Sequence, residues 1–212
     1  MKKIKILMVL LCLVMLGCNK KPEDILITEE LKFDATEATT SEIVTTEADK
    51  ESTSSTVTEE STEKKAYVLK FESTNLDGEK VTSDCFTNSK LTMINVWGTY
   101  CSPCLGEMPD LGEIANEYDK ADFQLIGVVC DVEEGASKEQ VDYVKSLVEK
   151  TKANYTHLLL SESLLNKLVS AVYYVPTTFF FNQDGELIGY VESAYRKDVW
   201  KDIIDGLLED MQ

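Results

Sequence analysis

NVWGTYCSPCLGEMP, residues 95–109, sets Cys101 and Cys104 with two residues between them, directly after the apolar run LTMINVW (91–97). A short continuous apolar run reads as a buried strand. After the cysteines, Leu105, Met108, Leu111, Ile114 and Ala115 recur at spacings of three and four, which is one face of a helix. The pair therefore sits where a strand hands over to a helix. A thiol at a helix N-terminus faces unpaired N–H groups and the positive end of the dipole. Both favour the thiolate, which is the reactive form. Cys104 lies one turn on and can reach back to Cys101. Pro103 suits a first helical turn, whereas Pro109 falls further inside and predicts a kink.

Three uses compete for two such thiols. Structural zinc needs four ligands, and the chain offers one CxxC pair and a single histidine, His157, far away in sequence. Cu(I) accepts two thiolates, so a copper carrier stays open. A purely structural staple is an odd use of a strand-to-helix junction. Thiol–disulfide exchange fits the position best.

Outward from the motif, the chain begins MKKIK and continues into an apolar run at 6–16. That run is shorter than the roughly 20 residues of a membrane span and has the length of a signal-peptide core. Met15-Leu16-Gly17-Cys18 resembles a bacterial lipobox, which implies cleavage after residue 17 and lipidation of Cys18. An ordinary secretory signal or an uncleaved anchor is the alternative. Residues 19–65 hold 15 Ser or Thr, 13 Asp or Glu and no Gly or Trp among 47 positions. Such a segment cannot bury enough apolar surface to offset its ordering entropy. Residues 18–65 are therefore expected to be an acidic, disordered tether with a coil span on the order of 40 Å. The alternative is that part of it, 25–33, packs on the head.

Residues 66–212 suit one domain. They carry 12 basic and 25 acidic residues, a net of −13, which argues against phosphate-backbone partners and hence nucleic acid. No second long apolar run follows the first, so no transmembrane helix is expected in the mature chain. Along this head, 66–73 alternates like a strand, and Leu76-Asp77-Gly78-Glu79 is a turn returning through 79–82 as a hairpin. Strands are expected at 91–97, 123–130 and 155–160, and helices at 138–151 and 162–171. Residues 177–182 and 186–192 form a hairpin about Asn182-Gln183-Asp184-Gly185, and a helix from Lys197 to Met211 ends the chain. Alternating strands and helices make an α/β sheet, to which the late hairpin adds antiparallel strands.

The run Trp97-Gly98-Thr99-Tyr100-Cys101-Ser102-Pro103-Cys104, the trio Glu107-Met108-Pro109, and Val175-Pro176-Thr177-Thr178 ahead of three phenylalanines together resemble the thioredoxin superfamily. Within it they are most similar to its membrane-anchored TlpA/ResA-like branch. The likeness spans roughly 66–212. It implies a thioredoxin fold, with a central mixed β-sheet flanked by helices, an N-terminal β-hairpin extension and an inserted strand/helix region. It implies Cys101 as attacking thiolate and Cys104 as resolving thiol, with no cofactor beyond their redox-active disulfide. It also implies a cis Val175–Pro176 bond that receives substrate backbone and excludes metal, Trp97 packed under the motif, and Tyr100 flanking it. Asn95 stands where thioredoxin has a buried aspartate, and an amide takes no proton. Glu107 matches the glutamate that ResA-like proteins carry three residues after the second cysteine; it either tunes the thiols or is an exposed helix acid. Ser102-Pro103 lacks the histidine of strongly oxidising CPHC sites, which favours a reductant, although a disulfide-forming oxidant stays open. Cys85 and Cys130 either form a structural disulfide or stay unpaired, and His157 reads as an ordinary strand residue. The implied partners are exported proteins with disulfides, such as apocytochrome c or an oxidised methionine sulfoxide reductase, and a CcdA-like membrane electron donor. The head is expected to act as a monomer on the extracytoplasmic face of a bacterial membrane.

Overall fold

The computed structural model describes residues 26–27 and 66–211. The expected signal sequence 1–17, Cys18 and nearly all of the expected tether lie outside those residues. A short antiparallel pair comes first, β1 (Glu72–Thr74) with β2 (Lys80–Thr82), followed by a 3-10 segment Ser83–Asn88. Then come β3 (Leu91–Trp97), α1 (Ser102–Ile114), β4 (Phe123–Glu133), α2 (Lys138–Thr151), β5 (Thr156–Leu160) and α3 (Glu162–Lys167). A 3-10 turn, Val169–Ala171, leads to β6 (Thr177–Phe181), β7 (Leu187–Val191) and α4 (Lys197–Asp210).

The main sheet has the order β5-β4-β3-β6-β7. Strands β3, β4 and β5 are parallel, and β6 and β7 add antiparallel. This is the mixed sheet with flanking helices and N-terminal hairpin expected of a thioredoxin fold. β3 is buried at all seven positions, as a central strand covered on both faces must be. Its even-numbered Ile94 and Val96 join Ile126, Val128, Leu158, Phe179 and Phe181 under the N-terminal hairpin and α3. Its odd-numbered residues face the other way: Leu91 and Met93 pack with α1 and α4 residues such as Leu111, Trp200 and Ile204. Trp97 packs with Cys104, Met108 and Val144.

Local signals fix the helix ends. Ser137 and Gln140 form a capping box on α2, and Lys152 closes it in the left-handed region at φ 57°. The first helical amide of α4, Lys197 N, donates to Asp110 of α1 at 2.9 Å. Lys197 also pairs with Glu113 and Glu117, and Lys201 with Glu117, so α4 is pinned to α1.

Two expectations need correction. The 66–73 stretch alternates in burial, with Leu69 and Phe71 inside, yet the ladder begins only at Glu72. Residues 67–69 instead cross the end of β7, through a single bridge at Val68–Glu186 and bonds from Leu69 N to Gly185 O and from Leu187 N to Tyr67 O. Within the expected tether, Leu26 packs against the α1/α4 core and Ile27 pairs with Tyr190. The alternative reading of 25–33 is thus the one that holds at these two positions.

Candidate active site

The β3–α1 junction is built by backbone bonding and one acid. Cys101 N donates to Gly98 O at 3.0 Å, closing a turn directly after Trp97. Asp131, just past the point where β4 outruns β3, accepts from Thr99 N at 3.0 Å and from the Thr99 hydroxyl. Cys101 is the N-cap of α1, with Pro103 in the first turn. Its Sγ accepts from Cys104 N at 3.2 Å. The pair is disulfide-bonded, with S–S 2.04 Å and Cα atoms 5.3 Å apart. Cys101 retains 5% exposure and Cys104 none, so the outer sulfur is Cys101. Helix α1 continues through Pro109.

Opposite the disulfide, the Val175–Pro176 peptide is cis. The Val175 carbonyl oxygen lies 3.5 Å from Cys101 Sγ. Trp97, fully buried, shares a cluster with both cysteines and with Val175. Tyr100 is 72% exposed beside the motif, and Tyr173 and Tyr174 are 82% and 73% exposed just before the cis peptide. Three exposed tyrosines thus flank the motif and the cis peptide in sequence.

Glu107 is not an exposed helix acid. It is 4% exposed, on the α1 face that also buries Cys104 and Met108. Its Oε1 accepts from Asn95 Nδ2 at 3.0 Å, and its Oε2 from Tyr195 N at 3.2 Å and Trp200 Nε1 at 3.3 Å. Asn95 Nδ2 also donates to the Thr178 hydroxyl at 3.0 Å. Burial pushes the Glu107 carboxyl up to about 7, and the three donors only partly offset it. A group near neutrality, one turn from Cys104, is suited to proton exchange.

His157 is buried, accepting at Nδ1 from Trp97 Nε1 (3.2 Å) and donating from Nε2 to Ala153 O (3.0 Å). Burial lowers it to about 4, so it stays neutral and braces Trp97. This satisfied strand histidine is what the sequence reading expected.

Cys85 and Cys130 are free thiols, and the disulfide considered for them does not form. Gln124, near the start of β4, donates to the Cys85 carbonyl at 2.7 Å. Cys130 stands six residues further along that strand, about 20 Å away at strand rise. A disulfide needs Cα atoms within about 7 Å. Burial pushes the Cys85 thiol up to about 11 and raises Cys130 as well, so both are weak nucleophiles.

Sequence reasoning missed the partners of Glu107. Asn95, Tyr195 and Trp200 come from three elements, and the last two lie 88 and 93 residues away in sequence. Trp200 offered one signal: it is one of only two tryptophans, and a buried indole needs an acceptor.

The AhpC/TSA family profile matches residues 64–189. A relative named thiol-disulfide oxidoreductase ResA, from Bacillus thuringiensis subsp. konkukian, is 26% identical over 125 residues, covering 59% of this chain and 67% of its own. A protein of the same name from Oceanobacillus iheyensis is 26% identical, over 58% of this chain and 57% of its own. Among solved structures, a thiol:disulfide interchange protein of Chlorobium tepidum superposes with a TM-score of 0.56 at 19% identity, covering 66% of this chain and 94% of its own. The pneumococcal exposed lipoprotein thioredoxin from Streptococcus pneumoniae gives 0.54 at 24% identity, covering 65% and 98%. Both structures share the fold described above.

Proposed function

The chain belongs to the AhpC/TSA family, and from that premise we propose a lipid-anchored, extracytoplasmic enzyme that reduces disulfides in exported proteins. Thiol–disulfide oxidoreductase chemistry is carried by one observation: Cys101 caps a helix beside a cis-proline loop with Cys104 bonded to it.

The geometry supports the following cycle. In the reduced protein the helix N-terminus favours the Cys101 thiolate. That thiolate attacks one sulfur of a substrate disulfide, forming a mixed disulfide and expelling the other sulfur as thiolate. Cys104, deprotonated with the help of Glu107, then attacks Cys101 Sγ. The second substrate sulfur leaves reduced, and the Cys101–Cys104 bond of the present structure is restored. The Val175 carbonyl and the flanking tyrosines steady the substrate backbone while this happens. A membrane-embedded dithiol donor returns the electron pair.

The reductive direction is supported by Ser102-Pro103 between the cysteines, and the anchor by the Met15–Cys18 motif. Substitution tests the cycle. Cys101→Ser is expected to abolish disulfide reduction, and Cys104→Ser to accumulate mixed disulfides visible on non-reducing gels. Full activity in the first variant, or no adducts in the second, would remove the assigned roles.

A further inference from the structure

Strand β7 is the outer strand of the sheet, and a bare edge is open to pairing with another chain. Here the edge is met by the protein's own N-terminal segment. Ile27 N donates to Tyr190 O at 2.8 Å and Tyr190 N donates to Ile27 O at 2.9 Å, the reciprocal pair of an antiparallel ladder. Leu26 packs against the α1/α4 core.

Gly189 makes room for it. A Cβ on Gly189 would meet Leu26 Cγ at 2.8 Å and both Leu26 Cδ atoms at 3.0 Å. The three nearest atoms all belong to Leu26, so this glycine is the seat of that side chain.

The direction of the pairing matters. Thr178 stands opposite Val191 across β6 and β7, and Thr177 stands opposite Val96 beside the motif. The Val191 end of β7 is therefore at the disulfide edge of the sheet. Because the bridge is antiparallel, with Ile27 opposite Tyr190, Leu26 lies on the Val191 side. Seven residues separate Cys18 from Leu26, and the eight Cα–Cα steps reach at most about 29 Å at full extension.

We infer that residues 26–27 clip the N-terminal segment to β7, so that the anchored head is held close to the bilayer with its disulfide edge toward the lipid surface. This rests on the lipid-anchored reading of Cys18. The effective tether is then seven residues, 19–25, and not 47. The 38 residues 28–65 run between two points on the head and set no limit on its distance from the membrane. Release of the clip returns the whole segment to the tether. The clipped arrangement suits exchange with a membrane-embedded electron donor, and the released one suits more distant substrates.

The test uses the full lipidated chain on vesicles of phosphatidylglycerol and phosphatidylcholine. Hydrogen exchange reads the clip: the Tyr190 amide is expected to be protected, and at least tenfold faster in Ile27→Pro and in Gly189→Leu. Energy transfer to a lipid-borne acceptor reads orientation, from a fluorescent amino acid at Ser193 (disulfide edge) or Asp184 (opposite edge). Transfer is expected to be stronger from Ser193, and this difference should vanish in Ile27→Pro. A Tyr190 amide indifferent to both substitutions overturns the clip. Equal transfer from the two positions, or a chain that does not stay on vesicles, overturns the orientation. Reduction of a soluble disulfide substrate is expected to be unchanged in Ile27→Pro. Its absence in the unsubstituted chain would count against the proposed function and leave the exchange result standing.

Discussion

Burial and hydrogen bonding pull Glu107 in opposite directions, and burial prevails, holding it at about 7 against an ordinary 4.5. The folded chain then binds this proton more tightly than the unfolded one. The stabilisation is complete below about pH 4.5 and is lost as pH rises through about 7, a difference of roughly 3 kcal/mol. His157 works the other way: its folded value of about 4 lies below an ordinary 6.5, so stability from it falls as pH drops from about 6.5 to about 4. In Glu107→Gln only the histidine effect remains. Urea unfolding of that variant between pH 5 and pH 8 is expected to show less loss of stability with rising pH than the unsubstituted protein. A matching pH slope would mean that Glu107 is not held near 7. The same variant separates proton transfer from mere positioning. If Glu107 serves the thiols, the rate of disulfide exchange against pH should lose an inflection near 7. An unchanged rate profile would leave Glu107 only the role of holding Tyr195 and Trp200.

Helix α1 is the element through which the site is tied to the rest of the fold. Its N-terminus carries Cys101, its buried face carries Cys104 and Glu107, and its next turn caps α4 through Asp110. Its far end meets α2 closely: a Cβ on Gly112 would lie 2.3 Å from Lys152 O and 3.1 Å from Ala153 Cα. These are backbone atoms and cannot step aside as a flexible side chain would. Gly112→Ala is expected to cost about 1–3 kcal/mol in urea unfolding, and a change below about 0.5 kcal/mol would contradict so tight a contact. Much of this level was legible in the sequence. The run 91–97, the period through Leu105–Ala115 and the helix at 138–151 each match an observed element, because apolar spacing reports which face is buried. The cysteines and the cis-proline were legible as motifs. The 66–73 strand was misread because alternation reports burial and not a neighbour to pair with. The partners of Glu107 were hidden because donors on β3, the 192–196 loop and α4 converge only through the fold.

At the scale of the whole molecule, the sheet separates two chemistries. The disulfide and the exposed tyrosines occupy the edge where β3, β4 and β5 end, and Cys85 lies toward the other. Alkylation of the oxidised chain after unfolding, without reductant, is expected to modify Cys85 and Cys130 and spare Cys101 and Cys104. A linked Cys85–Cys130 peptide would contradict the assigned separation. The acidic head, with 12 basic against 25 acidic residues, favours solubility and disfavours strongly acidic partners. Direction of electron flow is also a property of the whole molecule, since it depends on how well the fold stabilises the reduced pair against the oxidised one. The most direct measurement is the reduction potential of Cys101–Cys104, by equilibration against a thiol buffer and alkylation trapping. A reductant fed by a membrane donor is expected near about −270 mV, in the thioredoxin range, and a value near about −120 mV, in the range of a strong oxidant, would contradict it.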